Sequence, residues 1–242
     1  NNPQSVVFDS AGNAYVSCNI EKTIIKIDTT GQQSNFITGF TSNRKMVIDS
    51  NDNLYVVEYT GSTETKIKKY ALPSTTAVES TDGFANANSI ALDSDGNFYI
   101  AHAATGSQKI AKCTMASCNK DWSTGPYSRV YGIVVDAGNN VFVADTNNDK
   151  IYRITPDANS AEYYSDITDI PHGLAIKDGV LYTTGKDSTG GSWTKDGLYK
   201  FSTETVSGSG LACTACPGAG TNAAGKVDSG TTCTFPDCQT DQ

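Results

Sequence analysis

The sequence has little of what builds long helices or membrane spans. Charged residues make up 18% of the 242 positions, and there are only 2 Met against 22 Gly. No run approaches the roughly 18 apolar residues of a transmembrane helix. This composition is typical of a turn-rich globular protein and not of a coiled coil or a disordered chain. We therefore expect no membrane span and almost no helix.

Positive charge is also scarce. Lys and Arg total 18 against 26 Asp and Glu, which gives a formal net charge of -8. Such a chain would repel nucleic acids and anionic membranes unless its basic residues clustered. They do not cluster along the sequence, so we expect no nucleic-acid partner.

Three sequence signals are absent. No Gly-x-Ser-x-Gly segment exists, which removes the nucleophile elbow of serine hydrolases. No Asn-x-Ser/Thr sequon exists, so N-linked sugar is not expected, whereas clusters of Ser and Thr leave O-linked sugar open. The chain begins at Asn1 without an initiator Met or a signal sequence, and we interpret it as a mature or excised portion.

A segment of about eight residues recurs along the chain. It reads DSAGNAYV from Asp9, DSNDNLYV from Asp49, DSDGNFYI from Asp93, DAGNNVFV from Asp136 and, in degenerate form, KDGVLYT from Lys177. The copies are 40 to 44 residues apart, which is the length of a four-stranded propeller blade. An apolar triplet precedes each copy, as expected for a strand that is buried on both faces.

The Asp and the Asn of this segment have a structural explanation. Asp hydrogen-bonds the backbone two residues on, and Gly or Asn tolerates the positive φ of a tight hairpin. The copy from Asp93 to Asn97 also resembles the start of a calcium loop, but no Glu follows at the required offset. We therefore interpret these residues as hairpin residues.

The whole pattern resembles the NHL repeat, and GIVVDAGNNVFVADTNNDKIYRI from Gly132 is its best match. The resemblance covers residues 1–205 as five units and implies an all-β fold, a β-propeller of four-stranded blades. Propellers of this family usually have six blades, so a five-bladed and a six-bladed ring both stay open. The predicted first strands lie near 5–9, 45–49, 89–93, 131–136 and 172–177.

The last segment, 206–242, is different in kind. It carries four cysteines, Cys213, Cys216, Cys233 and Cys238, and resembles the small ephrin-receptor-like and TNF-receptor-like cysteine-rich modules of secreted proteins. A segment this short with almost no aliphatic core needs cross-links, so we expect two internal disulfides with three connectivities open. A zinc ribbon is the rival, but four residues intervene in the second Cys pair where a ribbon has two.

The other three cysteines lie in the propeller. Cys113 and Cys118 bracket a predicted hairpin and are expected to form a disulfide. This leaves Cys18 as a buried free thiol or, alternatively, as half of an interchain bridge. Cysteine usage of this kind indicates an oxidising compartment, and we expect an extracellular protein.

Aligning the five units places ten residues at two equivalent positions, the entrance to the first strand and the exit of the second. The resemblance implies that both positions surround the central channel where relatives bind ligands. The entrance set is Gln4, Arg44, Asn88, Tyr131 and His172, and the exit set is Cys18, Glu58, His102, Asp145 and Gly185. The candidate ligand-binding residues are Arg44, Glu58, His102, Tyr131, Asp145 and His172.

Both histidines of the protein are among these candidates. A zinc set could combine His102 and His172 with one carboxylate, from Asp145 or Glu58. We expect instead that no metal or other cofactor is bound. In this interpretation the candidates solvate a channel mouth, with Arg44 paired to Glu58.

Three functions fit these features. The leading hypothesis is a non-catalytic extracellular structural protein that self-associates into a homopolymer, coat or fibre through propeller and tail contacts. The alternative, suggested by six-bladed relatives, is a metal-dependent lactonase, hydrolase or lyase. The third is a lectin or small-ligand binder, although the second-strand position of its aromatic candidates favours packing between blades. Those candidates are Tyr15, Tyr55, Tyr99, Phe142 and Tyr182.

Overall fold

A computed structural model describes residues 2–61, 64–104, 107–164, 169–187 and 197–202. These ranges contain eighteen strands and no helix, and therefore no helix that could cross a membrane. The strands are β1 Pro3–Phe8, β2 Ala14–Cys18, β3 Thr23–Ile27, β4 Gln33–Thr38, β5 Ser42–Ile48, β6 Asn53–Tyr59, β7 Glu64–Ala71, β8 Glu79–Leu92, β9 Phe98–Ala104, β10 Ser107–Cys113, β11 Cys118–Ser123, β12 Val130–Val135, β13 Val141–Asp145, β14 Lys150–Ile154, β15 Ser160–Tyr164, β16 Asp169–Lys177, β17 Val180–Asp187 and β18 Gly197–Ser202. The expected all-β class is confirmed. The four tail cysteines lie outside the described residues.

The chain divides into two compact units, Asn1–Pro126 and Tyr127–Gln242. In the first unit, β1 to β4 form one antiparallel sheet and β5 to β11 form a seven-stranded sheet. In the second unit, β12 to β15 form a four-stranded sheet and β16 to β18 a three-stranded sheet. The predicted first strands of blades 1 to 5 correspond to β1, β5, the end of β8, β12 and β16, so the repeat has been read in the correct register.

Strand β8 belongs to two blades at once. It pairs with β7 as far as Ala85, and with β9 at Ala85 and again from Ser89 onward. The strand bends between Ala85 and Ser89, because a bulge lies there and because Gly83 and Asn86 have φ values of 83° and 48°. Blades 2 and 3 therefore share one seven-stranded sheet, where the sequence predicts two separate sheets.

One Asp holds the hairpin between the first and second strands of a blade. In blade 2 the Asp49 carboxylate accepts hydrogen bonds from the backbone amide and the Nδ2 of Asn53, both at 2.8 Å, and from the Tyr55 hydroxyl at 3.3 Å. The equivalent sets are Asp9 with Asn13 and Tyr15, Asp93 with Asn97 and Tyr99, and Asp136 with Asn140. We name this arrangement the Asp clamp. It confirms that these residues serve the hairpin.

Blade 5 has no Asp clamp. Its first two strands are joined by a turn at Asp178 and Gly179, whose φ values are 52° and 70°. Two consecutive positive φ values are the mark of the tight hairpin turn that matches the twist of the strands. The degenerate repeat thus keeps its hairpin by a shorter turn.

Four of the five aligned aromatic residues are buried. The exposed fraction is at most 4% for Tyr15, Tyr55, Tyr99 and Phe142, whereas Tyr182 is partly exposed. Core clusters that span two blades contain Tyr15, Tyr55 and Phe142. Rings buried in this way cannot stack on a sugar, so they do not support a lectin role. The expectation of packing between blades is confirmed for these three residues.

The first strand of blade 1 is more exposed than its sequence suggests. Val6 and Phe8 are 55% and 61% exposed, whereas the corresponding face of blade 2 buries Met46 and Val56 to 3% and 0%. Val7, on the other face of β1, packs against the core that blades 1 and 2 share. The prediction of a strand buried on both faces is therefore wrong for blade 1 in the described part of the chain. An apolar triplet indicates that a strand is buried, but it does not show whether another blade packs on both faces of that strand.

The cysteines of the first unit have distinct states. Cys113 and Cys118 face each other across β10 and β11 and form a disulfide. Cys18 is a free thiol with 3% of its surface exposed, and burial raises its pKa. Such a thiol is poorly reactive and is not accessible to another chain.

The Asp clamp gives the fold a dependence on pH. Burial alone would raise the pKa of Asp49, but hydrogen bonds from Asn53, Asn51 and Tyr55 outweigh burial and hold it below the ordinary value of 3.8. A carboxyl whose pKa is lowered in the folded state stabilises the fold above its unfolded pKa, and this contribution is lost as the pH falls through the folded pKa. The clamp should therefore weaken below about pH 3.8.

Replacing Asp49 with Asn should lower the free energy of unfolding by about 1 to 3 kcal/mol at pH 7. Both carboxylate oxygens of Asp49 accept hydrogen bonds, and in Asn one of them is replaced by an NH₂ group, which cannot accept. Urea denaturation of the two proteins measures the difference, which should shrink as the pH falls below the pKa of the clamp. The matched control is Asp178→Asn, which removes the same charge at an exposed turn residue. Equal effects of the two substitutions would contradict the clamp.

Candidate active site

Glu58 has a structural partner in the first unit. Its side chain, at the exit of β6, is 3% exposed. Its Oε1 accepts a hydrogen bond from the Thr41 amide at 3.0 Å, and the Nζ of Lys68 lies 2.6 Å from its Oε2 as an ion pair. The side chain of Arg44 lies outside the described residues. Among the described side chains, the ion-pair partner of Glu58 is Lys68, on the adjacent strand of the same sheet. The pairing of Glu58 with Arg44 stays a prediction.

His102 is also held inside the first unit. It is 6% exposed, and its Nε2 donates a hydrogen bond to the carbonyl oxygen of Lys120 at 2.8 Å. Its ring meets Phe84 edge-to-face at 5.8 Å between centroids. A histidine that is buried and bonded to backbone in this way supports the packing of its blade.

Asp145 performs a similar task in the second unit. It is fully buried at the end of β13. Its carboxylate accepts hydrogen bonds from the backbone amides of Ser128 and Arg129, at 2.9 and 2.8 Å, and from the Nδ2 of Asn148 at 2.7 Å. These bonds fix the segment that enters β12. Asp145 thus holds Ser128, Arg129 and Asn148 in place and does not face solvent.

The structure brings two of the candidates together on the exposed entrance of the second unit. The rings of Tyr131 and His172 are stacked, with centroids 4.6 Å apart and an interplanar angle of 13°. The guanidinium carbon of Arg129 lies 4.8 Å from the Tyr131 centroid. Tyr131 is half-buried, whereas Arg129 and His172 are exposed. We name Arg129, Tyr131 and His172 the Tyr131 cluster.

The backbone around the cluster is fixed by a close approach of β12 and β16. A Cβ on Gly132 would lie 2.7 Å from the carbonyl oxygen of His172, so only glycine allows this contact. Thr146 donates a hydrogen bond from Oγ1 to the carbonyl oxygen of Pro171 at 2.8 Å, and the Gly173 amide donates to Thr184 Oγ1 at 3.0 Å. The peptide groups before and after His172 are therefore anchored to Thr146, just after β13, and to Thr184 of β17.

The described residues do not fit a metal centre. They contain no group of three or more His, Cys, Asp or Glu side chains that could hold a metal ion. The carboxylate oxygens of Glu58 and Asp145 are held by Lys68 and by backbone amides. The described residues thus provide no assembled zinc set.

Alignment of the five repeats predicted Tyr131 and His172 as candidates but missed Arg129, Gly132 and Thr146. Arg129 lies just before β12 and outside the two positions at which the repeats were aligned. The repeat pattern therefore gives no signal for it. The roles of Gly132 and Thr146 depend on the approach of two blades, and no pattern within one repeat encodes this approach.

The sequence matches no protein-family model and no curated protein. Solved structures do match. A gluconolactonase from Xanthomonas campestris has a TM-score of 0.64 at 11% identity, over 76% of this chain and 69% of that one. A catalytically inactive His-to-Ala variant of virginiamycin B lyase from Staphylococcus aureus, solved with quinupristin, has a TM-score of 0.58 at 15% identity, over 84% and 68%. A chain of the nidogen/laminin complex has a TM-score of 0.66 at 14% identity, over 83% of this chain and 75% of that one.

These likenesses confirm the propeller fold. The narrower NHL assignment stays a prediction, as does the cysteine-rich module. The leading hypothesis of a non-catalytic structural protein is corrected, because lyases and gluconolactonases recur among the matching structures and favour the enzyme alternative. At 11 to 15% identity the likeness shows the fold alone.

Gly132→Ala should displace His172 from Tyr131, because the added methyl group cannot fit against the His172 carbonyl oxygen. We expect a loss of about 1 to 3 kcal/mol in the free energy of unfolding. The ring-proton NMR signals of His172 should also shift as the stacking is lost. The protein has only 2 His, so the signals of His102 provide an internal reference.

The control for this substitution is Gly61→Ala. The nearest atom to a Cβ at Gly61 is 4.0 Å away, and its φ lies outside the left-handed region, so the variant should leave both histidine signals in place. If Gly132→Ala also leaves the His172 signals unchanged, the close approach does not position the ring.

Proposed function

We propose that the protein is an extracellular enzyme that hydrolyses a lactone, with His172 as the group that moves the proton. The observation that carries this proposal is the stacking of an exposed imidazole on Tyr131 beside the Arg129 guanidinium. A base, an aromatic surface and a cation at one entrance are what a small polar ester needs for activation and binding.

His172 supplies the proton chemistry. Imidazole titrates near neutral pH and can act as both base and acid. An imidazole nitrogen takes a proton from water while the water oxygen bonds to the lactone carbonyl carbon. The ring C–O bond then breaks, and the departing alkoxide takes the proton back from the imidazolium. The products are an open hydroxy acid and a neutral imidazole, so atoms and protons balance.

Tyr131 and the backbone anchors hold the imidazole for this step. Stacking at 4.6 Å fixes the plane of the ring, and the bonds of Thr146 and Thr184 fix the peptide groups on both sides of His172. A base that is already oriented avoids an entropic cost in the transition state. The Arg129 guanidinium adds donors for substrate oxygen beside the base.

Two of the matching structures support separate parts of this proposal. A gluconolactonase supports a lactone as the substrate class. A lyase whose His-to-Ala variant is catalytically inactive supports a histidine as the catalytic group. The alternative drawn from the sequence included a metal, but the described residues offer no set of ligands for one. We therefore derive no step through a metal. The disulfide between Cys113 and Cys118 supports an oxidising, extracellular location.

His172→Ala should reduce kcat/KM for lactones by about 100-fold or more, since a positioned general base contributes about 10² to 10⁴ in rate. Release of acid from glucono-1,5-lactone and a panel of other lactones measures the activity. Incorporation of ¹⁸O from labelled water into the acid product identifies hydrolysis and excludes elimination.

The matched control is His102→Gln, which keeps a donor for the Lys120 carbonyl oxygen. It should lower the melting temperature, because His102 is buried, and retain kcat/KM at temperatures where the variant is folded. Equal activity of wild-type protein and His172→Ala, or no lactone turnover by the wild type, would refute the proposed function.

A further inference from the structure

The Tyr131 cluster has a charge opposite to that of the protein. The chain carries a net charge of -8, yet among the described residues beside the cluster the exposed side chains are the cation of Arg129, the imidazole of His172 and the neutral groups of Ser128, Asn147 and Asn148. The Nδ2 of Asn147 donates a hydrogen bond to Ser128 Oγ at 3.2 Å. An exposed guanidinium among neutral groups attracts an anion locally even when the whole molecule repels one.

Asp145 does not neutralise Arg129. Its oxygens accept hydrogen bonds from the Arg129 backbone amide and not from the guanidinium. Among the described side chains, no carboxylate forms an ion pair with Arg129. Asp145 therefore holds the backbone of Arg129 and leaves the guanidinium without a carboxylate partner among the described side chains.

The Tyr131 ring also limits how the guanidinium can turn. The guanidinium carbon lies 4.8 Å from the ring centroid, and contact with an aromatic face favours a flat, ordered guanidinium. An ordered guanidinium presents parallel N–H groups that match the two oxygens of a carboxylate. Less conformational entropy is lost when a carboxylate binds to such a group.

We propose that this site recognises an acidic substrate, a sugar lactone that carries a separate carboxylate, and that Arg129 binds that carboxylate. The inference deepens the proposed function and rests on it for the lactone. Arg129 and His172 contact the same ring, at 4.8 and 4.6 Å from its centroid. These two distances put the guanidinium carbon and the imidazole centroid at most about 9 Å apart. The proposed substrate spans this separation, with its carboxylate on Arg129 and its lactone carbonyl at the imidazole.

Binding without turnover tests the carboxylate site. D-glucuronate and D-glucose differ by a carboxylate in place of a hydroxymethyl group, and neither is a lactone. Isothermal titration of the full chain should give an affinity at least about tenfold higher for glucuronate, as expected for a charge-assisted pair. Added salt should weaken the binding of glucuronate and leave that of glucose unchanged.

Arg129→Gln should bring the two affinities to within about twofold of each other. The matched control is Lys177→Gln, which removes the same charge from an exposed residue at the other end of β16 and should keep the preference for glucuronate. Thermal melts of both variants check that the fold is intact. In turnover, glucaro-1,4-lactone should exceed glucono-1,4-lactone in kcat/KM, mainly through KM, and Arg129→Gln should remove this advantage.

The outcomes separate the two proposals. Equal affinity of the wild type for the two sugars, no detectable binding of glucuronate at millimolar concentration, or a preference that survives Arg129→Gln would overturn the acidic-substrate proposal. A preference that depends on Arg129, together with full lactone turnover by His172→Ala, would overturn the role of His172 and leave the carboxylate site standing.

Discussion

The fold depends on the Asp clamp, a carboxylate that gathers its donors within six residues of chain. In blade 2, Asp49 binds both the amide and the side chain of Asn53, and the Tyr55 hydroxyl reaches the same carboxylate. These bonds fix the hairpin and also point the tyrosine ring into the interface with the next blade, where Lys69 lies over its face. One short motif thus sets a local turn and a long-range packing contact, which explains why its Asp and Asn recur in blades 1 to 4.

The repeat predicts the strands well because the clamp is local. All five first strands lie where the spacing of the motif places them. What a local motif cannot encode is the environment of the blade. The continuation of β8 through the boundary of blades 2 and 3 depends on positive φ at Gly83 and Asn86. The exposure of Val6 and Phe8 depends on which faces have a neighbour. Neither property differs in a recognisable way between copies of the repeat.

The site was predictable in the same measure. Alignment of the repeats is enough to find Tyr131 and His172, because equivalent strand entrances of adjacent blades lie close together. It did not find Lys68, the ion-pair partner of Glu58, which lies on the adjacent strand of the same sheet. An alignment of repeats compares equivalent positions, and Lys68 occupies neither of the two positions that were compared. Contacts between neighbouring strands of one blade therefore need the structure.

The two ends of β12 carry different tasks, and this separation explains how function can vary on a repeated fold. The clamp residue Asp136 follows the last residue of the strand, whereas Tyr131 lies near its start, roughly 17 Å away at about 3.3 Å per residue. Asp145 is bonded across the sheet to the amide of Arg129, so a second buried carboxylate holds the entrance independently of the clamp. Substitutions among exposed entrance residues such as Arg129 can therefore change recognition without loosening either carboxylate. Those at Gly132 cannot, because its backbone lies against the carbonyl of His172.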